Sequence, residues 1–121
     1  MMSTTYETFN MLIENIMVSC RGWLDAIAVV SEDGTPIAYN ANIDFRPEFI
    51  AAATAAIGGA ISAVIELLNA KSYEKVDIQL QDKRYLIIRS YKSHYVVGLT
   101  KPHPNLGFIN LILEAYLSGR A

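Results

Sequence analysis

Hydrophobic and polar positions divide the chain into stretches of two different periods. From Thr4 or Thr5 to Cys20, apolar residues recur at helical steps, with Phe9, Leu12, Ile13, Ile16, Met17 and Cys20 on one side. Thr4 followed by Glu7 matches a capping box, in which both side chains satisfy backbone donors that a helix start leaves unpaired. Gly22 stands where such a helix ends in a left-handed residue. Two short apolar runs follow, Ala26 to Ser31 and Pro36 to Asn40, around Asp33-Gly34, which supplies the positive backbone angle of a tight hairpin. From Lys75 the period is two. Val76, Ile78 and Leu80 alternate with Lys75, Asp77, Gln79 and Gln81, a strand with one buried and one wet face that belongs at a sheet edge. Arg84 to Ser90, with adjacent Leu86, Ile87 and Ile88, reads as a central strand, and His94 to Thr100 completes a meander. Pro102 and Pro104 stop it, and Asn105 or His103 caps a last helix whose stripe is Leu106, Ile109, Ile112 or Leu113, Tyr116 and Leu117.

Between these stretches lies the one around which the chain is organised, Glu48 to Ala70. It is rich in Ala, uncharged between Glu48 and Glu66, and apolar at three- and four-residue steps, all of which predict a helix. Pro47 suits its first position and Glu48 complements its dipole. Phe49, Ala53, Ile57, Ile61 or Ala60, Val64 and Leu68 form a bulky stripe, expected to lie on the sheet. Ala51, Ala55, Gly59 and Ala63 recur every four residues, with Gly58 and Ser62 beside them, and form a shallow groove that needs a second partner. A twin helix is the expected partner, because small residues let two backbones approach and Gly in a helix interior costs roughly 1 kcal/mol unless packing needs it. A helix buried wholly within one chain is the alternative. The uncharged run from Phe49 to Ile65 reaches only the lower end of the roughly 17 to 25 residues of a membrane span. No Trp or Tyr belt flanks it and strands follow, so direct membrane insertion is not expected.

Composition narrows this further. With 121 residues and 52% hydrophobic content, the chain is expected to form a single domain over 1–121. The net charge of −2 and the scattering of its ten Lys and Arg give no basic footprint for nucleic acid. Cys20 is the lone cysteine and falls in an apolar stripe, so a small buried hydrophobe is expected rather than a nucleophile. The start MMSTTYETFN has neither the basic end nor the apolar core of a signal peptide, and no disulfide framework exists, so a cytoplasmic location is expected.

Candidate chemistry is sparse. Gly58 and Gly59 sit mid-helix without the GxxxxGK[ST] pattern and read as packing glycines. His94 and His103 have no HExxH or CxxC partners, so no metal or cofactor is expected. Glu32 and Asp33 sit at a solvated hairpin tip that would not drive their pKa values apart as acid/base work requires. Arg84 and Arg89 are expected on opposite faces near strand ends with solvated heads, and Arg46, beside Phe45 just before the central helix, is the arginine to mutate first, as a contact residue rather than a catalytic one.

The run LDAIAVVSEDGTPIAYN after Gly22, the small-residue central helix, the VDIQLQ to VVGLT meander and the closing NLGFINLILEAYL stand in an order and spacing that resemble the Roadblock/LC7 domain family, over nearly the whole chain. That family includes dynein light chains, scaffold subunits of lysosomal signalling complexes and bacterial MglB proteins. The resemblance implies an α+β, profilin-like sandwich: a five-stranded antiparallel sheet of order 2-1-5-4-3, with the terminal helices on one face and the central helix on the other. It also implies a homodimer through central helices and third strands. Its function would be that of a platform, with no catalytic residue of its own, that binds and regulates a small Ras-like GTPase; members of the MglB type stimulate hydrolysis by repositioning the GTPase's own residues. The dimer interface is then expected at Ala51, Ala55, Gly58, Gly59, Ser62, Ala63 and Glu66, joined by Lys75, Val76 and Asp77 of the edge strand. Pairing of third strands about Val76 would set Lys75 opposite Asp77 of the other copy. Phe45, Arg46 and Glu48 are the candidate GTPase contacts. The alternative from a different class is a structural adaptor or light-chain subunit that tethers a motor or membrane-associated complex without touching a GTPase. A small-molecule sensor or enzyme would need a polar-lined pocket that the pattern does not place.

Overall fold

The computed structural model describes residues 5–44, 46–71 and 73–118. Its elements run α1 (Thr5–Ser19), β1 (Leu24–Ser31), β2 (Pro36–Ala41), α2 (Pro47–Leu67), β3 (Lys75–Gln79), β4 (Tyr85–Tyr91), β5 (His94–Thr100) and α3 (Leu106–Leu117). The expected capping box rests on Thr4, which lies outside the described residues.

The element ends follow local chemistry. Gly22 takes φ +87° just past α1, where the Trp23 N–H donates to the Cys20 carbonyl. Gly34 takes φ +90° in the β1–β2 turn, and Asp33 organises that turn by accepting from the Ser31 hydroxyl and the Thr35 N–H. Pro47 opens α2, and the Asn105 side chain accepts from the Phe108 N–H at the start of α3. The central helix stops three residues short of the expected Ala70. Leu68 is its cap, Asn69 turns to φ +59°, and the Ala70 N–H folds back onto the Ile65 carbonyl.

All strand pairs are antiparallel, and the sheet order is β2-β1-β5-β4-β3. Strand β1 is buried along almost its full length, as its unbroken apolar run requires. One sheet face carries α1 and α3, whose Phe9, Ile13, Ile16, Ile109 and Leu113 close over Ile27, Val29, Ile87 and Val96. The other carries α2, packed through Ile50, Ala51 and Ile57 on Ala28, Val30, Ile88 and Val97. Among the described residues strand β3 pairs only with β4, and its exposure alternates residue by residue. It is the half-wet edge the pattern predicts. Cys20 is fully buried, and burial pushes its thiol pKa up to about 11.

Candidate interaction surface

The central helix sits on the sheet turned about its axis from the orientation its sequence suggested, with Ile57 and Ile61 of the expected stripe kept toward the sheet and the rest turned away from it. Its buried residues are Ala51, Thr54 and Gly58, supported by half-buried Ile50, Ile57, Ile61 and Ile65. Phe49, Val64 and Leu68, expected against the sheet, are instead 65%, 54% and 71% exposed, and Leu67 is 84% exposed. The reason is size. A Cβ on Gly34 of the β1–β2 turn would come within 3.2 Å of the Ala55 Cβ and 3.6 Å of the Ala51 carbonyl. A Cβ on Gly58 would stand 3.0 Å from the Tyr73 Oη and 3.5 Å from that of Tyr95. Small residues on α2 therefore receive the hairpin turn and a pair of stacked tyrosines, with ring centroids 5.9 Å apart. Phe49, Val64, Leu67 and Leu68 are left to solvent.

The expected interface residues accordingly divide. Ala51 and Gly58 are buried inside the chain and Ala55 is half-buried under the hairpin, so these three do not line an outer groove. Gly59, Ser62, Ala63 and Glu66 are exposed, and a Cβ on Gly59 would meet nothing within 4 Å. Phe49, Ala53, Ala60, Val64, Leu67 and Leu68, which the sequence reading did not place outward, form an apolar face on the same helix. Helix α2 is also long and apolar enough to cross a membrane by length and composition. Here it lies along the sheet.

On the edge strand, Val76 is half-buried on the α2 side, whereas Lys75 and Asp77 point to the face of α3. There the expectation of a solvated Arg89 fails. Arg89 is only 9% exposed, donating through Nη1 to Asp77 Oδ1 at 2.7 Å and to the Ile88 carbonyl, and through Nη2 to Asn110 Oδ1 at 2.7 Å. The two side-chain partners come from β3 and α3, which no local pattern links. Asp77 therefore already has a cationic partner within its own chain. Exchanging charges between Lys75 and Asp77 would orphan Arg89 as well as test strand pairing. Arg84 is half-exposed and bridged to the exposed Asp82 at 2.6 Å.

Among the expected GTPase contacts, Phe45 lies outside the described residues. Arg46 and Glu48 are exposed and, with Pro36, Ile37, Ala38, Tyr39 and Pro47, line a cleft of about 450 Å³ between β2 and the start of α2. The Arg46 guanidinium lies 5.5 Å from the centroid of the Phe49 ring, a cation–π stack. Among the described residues no group of three His, Cys, Asp or Glu is placed to hold a metal ion. His94 is engaged locally, with Nδ1 2.9 Å from the Lys92 carbonyl and its ring against Phe9.

The same order of elements, sheet and layers recurs in solved structures. Myxococcus xanthus MglB superposes with a TM-score of 0.83 over 98% of this chain and 88% of that one, at 16% sequence identity. The fold is that of the Roadblock/LC7 domains. The gliding protein MglB of Thermus thermophilus gives a TM-score of 0.80 over 96% of this chain and 87% of that one, at 15% identity. A Roadblock/LC7 domain from Streptomyces avermitilis gives 0.76 over 90% and 91%, at 13% identity. No protein-family model matches the sequence, and no curated protein matches it by sequence. The Roadblock likeness is thus one of three-dimensional arrangement, carried by sheet order and by the placing of α2 alone on one face.

Proposed function

We propose that this chain is a homodimeric, non-catalytic platform that binds and regulates a small Ras-like GTPase in the cytoplasm. The observation that carries the reading is the outward face of α2. Phe49, Val64, Leu67 and Leu68 are large, apolar and more than half exposed on α2 and its C-terminal cap. An isolated chain gains nothing from such a face, while a symmetric partner covers it without any unpaired charge. The Roadblock fold supports a regulatory or scaffolding role for the resulting dimer. The cleft holding Arg46 and Glu48 lies near one end of α2, where a second protein could reach it.

The test is capture of small GTPases by the purified chain in each nucleotide state, followed by hydrolysis rates with and without it. Preferential retention of the GTP-bound form and a changed hydrolysis rate are expected. Retention of neither form by a dimeric protein would remove the GTPase and leave a structural adaptor.

A further inference from the structure

The sequence pattern places no polar-lined pocket, yet the fold builds one where distant segments meet. A cavity of about 390 Å³ opens beside the second half of α2, walled by that helix, the β1–β2 hairpin, the connection that leads to β3, and the neighbouring ends of β4 and β5. Tyr73 and Tyr95, stacked on one another, line it together with Ile65. The Tyr73 Oη is buried and has no hydrogen-bond partner among the described residues. Burial raises the pKa of that phenol, so it stays neutral, able both to donate and to accept. Glu32 of the hairpin and Glu66 of α2 also line the cavity, are exposed, and form no ion pair among the described residues. Gly58, against which the Tyr73 Oη lies, Ser62 and Glu66 follow one another at four-residue steps and so share one side of α2. From Gly58 to Glu66 the backbone runs roughly 12 Å at 1.5 Å per residue, and a helical side chain leans back toward the N-terminus and shortens that span.

A buried neutral oxygen at one end and two unpaired carboxylates at the other define a ligand with two different heads. We propose that this cavity binds a small amino alcohol, its ammonium paired with the Glu32 and Glu66 carboxylates and its hydroxyl, at the far end of a short alkyl chain, paired with the Tyr73 Oη. The chain lies against Ile65 and the tyrosine rings, and the Ser62 and Ser90 hydroxyls flank it. A hydroxyl rather than a second ammonium belongs at the inner end, because a charge buried there without a counter-ion costs far more than a neutral group. An anionic head is disfavoured at the outer end, where the two carboxylates face Lys71 as the single cation of the lining among the described residues. The site goes beyond the platform reading and stands without it, since its test involves no GTPase.

Amide NMR titration of the full chain with the terminal amino alcohol aminopentanol, and with n-pentylamine and n-pentanol as single-headed controls, reads the two heads separately. Aminopentanol should give saturable shifts centred on Ser62, Glu66, Tyr73 and Ser90. Pentylamine should bind about threefold more weakly and pentanol about tenfold or more. Tyr73→Phe keeps the ring stack and should erase the advantage of aminopentanol over pentylamine while leaving pentylamine unchanged. Glu32→Gln/Glu66→Gln should weaken both amines about tenfold and leave pentanol as it was, and Lys71→Ala should tighten both amines. Circular dichroism of each variant checks that it remains folded. Equal affinity for pentanol and the amines, or shifts that rise without saturating, overturns the proposal, as does a preference for aminopentanol that survives in Tyr73→Phe.

Discussion

Tyr73 lies over Gly58 so closely that a Cβ on the glycine would stand 3.0 Å from the phenol oxygen. That oxygen is buried and has no hydrogen-bond partner among the described residues, and burial raises the pKa of its phenol. The next residue, Gly59, faces open space. Two adjacent glycines in one helix therefore have opposite requirements.

Gly59→Ala should stabilise the fold by up to about 1 kcal/mol through helix propensity alone. Gly58→Ala should lose that gain and more, because the Tyr73 phenol, stacked on Tyr95, must give way by a few tenths of an ångström to make room. Urea midpoints of the two variants check this. Tyr73→Phe removes the unpartnered oxygen, so it should be neutral or stabilising by about 1 kcal/mol and should make Gly58→Ala tolerable.

Asp77→Ala should destabilise the chain by roughly 1–3 kcal/mol, since it leaves the nearly buried Arg89 head with only Asn110 and a carbonyl. Arg89→Met, which keeps much of the length without the charge, should cost less. Denaturant unfolding of both decides. Equal and negligible effects would mean that the ion pair is solvent-screened like the exposed one between Arg84 and Asp82.

The Cys20 thiol should be unreactive toward thiol reagents in the native protein and react at once in denaturant, because it is fully buried. Its pKa rises from 9.0 to about 11 on folding. Between those values the unfolded chain has lost a proton that the folded chain keeps, so the unfolded state binds fewer protons and stability falls as pH rises. Cys20→Ala should remove that part of the alkaline loss in melts recorded from about pH 8 to 11.

At the other end of the scale, hydrogen bonds from Ser31 and Thr35 hold the Asp33 carboxyl below its ordinary pKa of 3.8. A depressed folded pKa contributes stability that is present above the unfolded value and disappears as pH falls through the folded one. Asp33→Asn should therefore flatten the stability profile below about pH 4 while leaving the neutral melting temperature little changed, since the amide oxygen can still accept in the turn.

Much of this protein was legible from residue order alone. The switch from helical to alternating period, Asp33-Gly34 at a hairpin, Pro47 opening a helix and Asn105 capping another are short-range effects, complete within a few residues. Because each acts locally, a linear reading recovers the elements, while the sheet order came only from the family resemblance. The half-wet strand from Lys75 was readable for the same reason. Which side of α2 meets the sheet was not. A helix apolar all round has no pattern that picks a face, and the choice fell to shape: Gly58, Ala51 and Ala55 are what Tyr73, Tyr95 and the Gly34 turn can approach. Arg89 was hidden in the same way, because Asp77 and Asn110 reach it only after β3 and α3 have packed. Local backbone preferences belong to the sequence, whereas the choice among equivalent apolar faces and the pairing of a buried charge are decided when distant segments compete for one space.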